Sequence, residues 1–123
     1  MPNDLLRAQI YESLWESVRS TELNPEIYLK LILERLPLEN NDSIAESLLD
    51  RLRTVYLRYL DAPRRTIHAK SIEQFLSAQM RATVHSARRI AYFRAFADLA
   101  RGTDALRELK QMLSNQITLA GFT

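Results

Sequence analysis

Histidines, carboxylates and serines are the residues that could carry chemistry in this chain. A metallopeptidase helix places two histidines four positions apart with a glutamate between, so that both imidazoles and the base share one face. The only histidines, His68 and His85, fall on separate elements with no HExxH pattern around them. Both read as surface or helix-end residues and not as zinc ligands. The carboxylates Glu12, Glu16, Glu22 and Glu26 invite a general acid/base reading. On an exposed helix face, however, Glu12 and Glu16 would pair with Arg19 and neighbouring cations. Ser13, Ser17, Ser43, Ser47, Ser71, Ser77, Ser86 and Ser114 fall inside predicted helices or at their caps, and no Gly-x-Ser-x-Gly elbow accompanies them. Gly102 and Gly121 stand alone, which excludes the GxGxxG and Walker phosphate loops. No catalytic, metal or cofactor-binding residue is therefore assigned.

The cations weigh differently. Arg64 with Arg65, and Arg81 with Arg88, Arg89 and Arg94, form the basic clusters, and Tyr92 and Phe93 interleave with the second. That combination is used on single-stranded nucleic acid, but Phe93 also fits a core position and the net charge is only +2. Nucleic-acid binding stays a minor reading. Residues 1–60 hold seven Lys/Arg against ten Asp/Glu, and residues 61–123 hold ten against five, an asymmetry that could steer a partner. Trp15, the single tryptophan, is read as core beside Leu14 and Val18, with a partner anchor as the alternative. With no cysteine, disulfides and thiolate metal sites are excluded. An acidic N-terminus, carrying Asp4, and the lack of a long apolar run argue for a cytoplasmic chain with no membrane partner.

These residues must sit on helices. Apolar residues recur at steps of three and four almost throughout, and no stretch alternates long enough for a strand. The first helix is expected over about 3–20, with Leu6, Ile10, Leu14 and Val18 inward and Tyr11 and Trp15 widening the stripe. Asn24 followed by Pro25 caps a second helix that runs to Leu36 and buries Tyr28, Leu31 and Ile32. Pro37 ends it, and residues 38–41 make a polar connection. The Ser43 and Glu46 spacing of a capping box starts a third helix, expected to reach Leu60 with Ile44, Leu48, Leu49, Leu52, Val55, Tyr56 and Tyr59 inward. A fourth covers about 63–82 with Ile72, Phe75, Leu76 and Met80 inside. His85 and Ser86 would cap a fifth, bearing Ile90, Phe93, Phe96, Ala97 and Ala100 and ended by Gly102 in a left-handed C′ position. Thr103 caps a sixth with Leu106, Leu109, Met112 and Leu113 on its apolar side. The fold class is all-α: one domain over 1–123, with hairpins about 3–36, 43–82 and 86–116. Their spacing permits either a HEAT/armadillo-like right-handed superhelix or an ordinary six-helix bundle.

Several runs carry a family resemblance. Residues 7–19 with Trp15, then Glu22-Leu23-Asn24-Pro25-Glu26-Ile27-Tyr28 and Leu36-Pro37, resemble the C-terminal helical domain of M1 zinc aminopeptidases, which has a similar tryptophan helix, acidic-Leu turn and Tyr-bearing second helix. Residues 48–53, and 106–113 followed by Leu119-Ala120-Gly121-Phe122, are similar to the same domain, with Ala120 where a proline is common. The resemblance covers about 5–122 and implies HEAT-like hairpins stacked into an arc over the catalytic domain.

On that basis the chain would be a non-catalytic piece of a larger C-terminal domain that helps wall off the peptide-access cavity. The parent enzyme would release N-terminal amino acids from peptides, with zinc, the HExxH helix and the GxMEN loop all upstream. Its partners would be the parent's catalytic domain and, through it, peptide substrate. The last hairpin should then expose an apolar edge, leaving the isolated piece free to self-associate. The alternative is a stand-alone helical-repeat adaptor that binds a protein or, less well supported, RNA.

Overall fold

The computed structural model describes residues 3–84 and 86–119. Among the described residues six α-helices follow one another: α1 (Asp4–Arg19), α2 (Pro25–Arg35), α3 (Asp42–Thr54), α4 (Ala62–Ala82), α5 (Ser86–Leu99) and α6 (Thr103–Leu119). A 3-10 turn, Leu36–Leu38, follows α2, and a π turn, Val55–Tyr59, follows α3. The expected all-helical class is what the chain adopts. The heaviest packing joins α4 to α5 and α3 to α5, while α2 touches both α1 and α3. Thus α5 lies against both helices of the expected 43–82 hairpin.

The starts of the first four helices are fixed by side-chain caps. Asn3 accepts from the Leu6 N–H, Asn24 from Glu26, Asn41 from Ile44 and Asp61 from Arg64, each satisfying a first-turn donor that no carbonyl can reach. Asn41, not Ser43, therefore caps α3, which begins two residues earlier than the capping-box spacing indicates. The end of α1 closes with the Glu22 N–H on the Ser17 carbonyl at 2.8 Å and the Thr21 N–H on Val18 at 3.1 Å. This closure requires a left-handed residue, and Thr21 takes that role at φ 65°. A β-branched residue is strained there.

One core runs through the molecule, from Trp15 and Val18 through Tyr28, Ile32, Leu48 and Leu52 to Leu76, Tyr92, Phe96 and Leu99. Several inward faces are turned relative to expectation. On α1, Leu6 and Ile10 are exposed, while Arg7 is buried in line with Tyr11, Trp15 and Val18. On α2, Leu29 is fully buried and Leu31 only partly. Beyond α3, the wider π turn inserts an additional residue into the register, so Leu60 is buried and Tyr59 lies at the surface. On α5, Tyr92, Ala95 and Leu99 point inward, Ile90 is exposed and Phe93 is half-buried.

Gly102 does not take the left-handed conformation expected of it. A Cβ there would meet the Glu73 carboxylate, whose Oε1 lies 3.0 Å from where it would stand. Thr103, expected to cap α6, is its first helical residue; Leu106 is partly exposed there and Leu109 packs on the core. His85, residues 120–122 and the side chains of Met112 and Leu113 lie outside the described residues, and with them part of the expected apolar edge.

Candidate functional site

Two polar assemblies hold α1, α2 and α3 together. The first is built on Arg7, one of the few charged residues that are buried. Its guanidinium forks onto Glu39, with Nε to Oε1 at 3.0 Å and Nη2 to Oε2 at 2.8 Å, and also reaches Asp4 at 2.6 Å. Asn41 N–H donates to Glu39 at 2.9 Å and Asn41 Nδ2 to Asp4 at 2.9 Å, so the α3 cap is tied into the same assembly. Burial works against the Glu39 carboxylate, but the Arg7 hydrogen bonds and the Asn41 N–H outweigh it and hold its pKa below the ordinary range. Asp4 is lowered in the same way, first by Asn41 and then by Arg7. Arg88, from α5, adds a hydrogen bond to the Glu39 carbonyl at 2.8 Å and an ion pair to Asp42 at 2.8 Å. The buried pair is absent from the sequence expectations, which treated residues 38–41 as a polar connection. The i, i+4 spacing of Arg7 within the Tyr11, Trp15 stripe is the signal that could have found it.

The second assembly is a cleft of about 230 Å³ between α1 and α3, floored by Tyr28 of α2. Ser43, Ser47 and Arg51 recur every four residues along one face of α3, opposite Ala8, Tyr11 and Glu12 of α1. Arg51 pairs with Glu12 at 2.9 Å and lies 4.9 Å above the Trp15 ring. Glu12 therefore meets a cation from another helix and not Arg19, which pairs with Glu16. The Tyr28 hydroxyl is buried without a hydrogen-bond partner among the described residues, and burial pushes its pKa up to about 12.

The remaining candidates are scattered by the fold. Glu26 joins Arg64 and accepts a hydrogen bond from His68 Nε2 at 2.7 Å, an α2–α4 clasp that lowers the Glu26 pKa chiefly through His68. Glu22 accepts from the Ser20 hydroxyl at 2.7 Å. The basic clusters are divided among carboxylates and carbonyls: Arg81 pairs with Glu108, Arg88 with Asp42, and Arg89 donates to the Thr83 carbonyl. Trp15 is core, its ring 5.7 Å from that of Tyr28 and 5.6 Å from that of Tyr59.

A wider groove of about 950 Å³ runs along α4 and the start of α6, lined by Tyr56, Arg65, Lys70, Glu73 and Arg101 among others. There the Glu73 carboxylate accepts from the Arg101 and Gly102 N–H groups at 2.8 and 3.2 Å, and the Ser77 hydroxyl donates to Glu108. Among the described residues Ser77 has a carboxylate beside it and no histidine to relay its proton. Among the described residues no three His, Asp or Glu side chains converge as a metal site, and no helix is long and apolar enough to cross a membrane. No family model, curated protein or solved structure matches the chain.

Proposed function

We propose that this chain is a non-catalytic helical segment of an M1-type zinc aminopeptidase, acting in the cytoplasm as part of the wall that restricts peptide access to the parent's catalytic domain. Its contribution is steric and electrostatic, through HEAT-like stacking of its hairpins. The observation that supports this reading best is the pairing of Trp15 with Tyr28. These two aromatics carry the family resemblance in separate stretches of sequence, and their rings meet at 5.7 Å in a shared core. Reading the coding DNA upstream of Met1 tests it. An in-frame HExxH motif is expected, and a stop codon with a ribosome-binding site just ahead of Met1 would overturn the proposal. The purified chain by itself should neither cleave an aminoacyl-anilide nor retain stoichiometric zinc.

A second reading, a stand-alone adaptor for a protein partner, is favoured by one feature. A groove of about 440 Å³ on α1 and α2 brings together Ile10, Leu14, Leu31 and Leu38, with Leu38 73% exposed. Apolar side chains gathered around a groove suit a protein partner. In the aminopeptidase reading the same groove is covered by the rest of the parent chain.

A further inference from the structure

The Tyr28 hydroxyl sets a specific demand. Nearly every buried hydroxyl in a folded protein finds a hydrogen-bond partner, and one left without is costly to keep. Tyr28 has no such partner among the described residues, although its ring is fully buried and could be that of a phenylalanine. Tyr28 is one of the residues lining the α1–α3 cleft, its oxygen buried, and Arg51, Glu12 and Tyr11, the charged and phenolic groups that act on its ionisation, line the same cleft.

What lines the rest of the cleft defines what could satisfy it. The α3 wall presents the hydroxyls of Ser43 and Ser47 and the guanidinium of Arg51, all capable donors. The α1 wall presents one carboxylate, Glu12, and the small side chain of Ala8, which leaves room between the helices. The volume of about 230 Å³ far exceeds the roughly 10–15 Å³ that one water requires.

We propose that this cleft binds a free α-amino acid. Its carboxylate accepts from the Tyr28 hydroxyl and from Arg51, and its ammonium donates to Glu12. The charges dictate that class. Arg51 and Glu12 are bonded to each other at 2.9 Å, with side chains 34% and 57% exposed, so parting them costs little. A zwitterion replaces that one ion pair with two and leaves no charge unmatched. A lone carboxylate would face Glu12 without compensation, and a lone ammonium would offer no acceptor to Tyr28. The open mouth leaves the ligand side chain in solvent, so the site reads the amino-acid backbone more than its identity. The inference is independent of the aminopeptidase reading, since it rests on the cleft alone.

A heteronuclear NMR titration of the whole chain tests it, with L-alanine as probe and acetate and methylammonium as separate arms. Saturable shifts at the amides of Ser43, Ser47 and Arg51 are expected with L-alanine at millimolar concentration, and binding about tenfold weaker or worse with each single-charge probe. Tyr28→Phe should weaken L-alanine about tenfold while the circular dichroism spectrum and melting temperature show a folded protein that is no less stable. Glu12→Gln should abolish the preference for L-alanine over acetate, and Lys70→Gln, in the other groove, should change nothing. Absence of saturable shifts, acetate binding as tightly as L-alanine, or undiminished binding by Tyr28→Phe would each overturn the proposal. The second outcome would leave the cleft as an anion contact, and the third would show that Tyr28 takes no part in holding the ligand.

Discussion

Arg7 and Tyr28 are both buried polar side chains in the same three-helix unit, and they are treated in opposite ways. Arg7 is surrounded by acceptors drawn from α1 itself and from the α2–α3 connection, with Glu39 meeting its fork at two points. Tyr28 lies under a cleft lined by donors and a carboxylate, and none of them reaches its hydroxyl. The first arrangement is what a buried charge requires if the fold is to tolerate it at all. The second is what a site looks like when a group is positioned for something outside the chain. A satisfied buried polar group locks helices together; the unsatisfied Tyr28 hydroxyl is the one we propose a ligand completes.

Trp15→Ala should have the largest effect, because Trp15 packs on Tyr28, Tyr59 and Arg51 and stands behind the cleft. A loss of about 3–5 kcal/mol in a denaturant melt is expected, with the Tyr28 cleft collapsing before the Arg7 assembly in hydrogen exchange. Equal loss of protection in both would show that the two are one cooperative unit.

Glu39→Gln comes next. It leaves the buried Arg7 without its charged partner, so stability at neutral pH should fall by less than for Trp15→Ala but by more than for breaking the exposed Arg19–Glu16 pair. The pH dependence sharpens this. Glu39 and Asp4 have folded-state pKa values below their ordinary ones, so their stabilising effect is complete above the usual carboxylate range, near about pH 4. It is lost as pH falls through the lowered values. Thermal melts should show wild-type stability declining in acid and the Glu39→Gln decline flattened. An unchanged slope would mean that the pair carries no linkage.

Two smaller effects have the opposite sign. Thr21→Gly should stabilise by about 1 kcal/mol, because it relieves a left-handed β-branched residue in the turn that leads from α1 to the Tyr28 helix. Tyr28→Phe should be neutral or stabilising by at most about 1 kcal/mol, since it removes a buried hydroxyl that bonds to none of the described residues. A loss of stability there would mean that the hydroxyl is satisfied internally, and the contrast with Arg7 would fail.

The helices, their proline starts and most of the α3 and α4 core were legible in the sequence. Asn24-Pro25 acts through groups within a few residues of itself, and the three- and four-residue steps of Ile44, Leu48, Leu52, Ile72 and Leu76 define a face whatever packs on it. Helix phase was less legible where the apolar stripe is broad. On α1 and α5 a one-position rotation keeps a comparable number of apolar residues inward, and the partner decides: Glu39 draws Arg7 in, and α5 turns Tyr92 inward in place of Phe93. The candidate cleft shows the same limit. Ser43, Ser47 and Arg51 could be seen to share a face, but only packing sets that face against Glu12 and over Tyr28.

Helix content and the Asn24-Pro25 start of α2 were therefore determined by the sequence alone, because periodicity and capping are local interactions, although Asn41 and not Ser43 caps α3 and Thr103 is a helical residue of α6. Tertiary structure decided which polar groups are buried and whether they find partners, because those partners come from residues 32 to 39 positions away, as with Glu39 for Arg7 and Arg51 for Glu12.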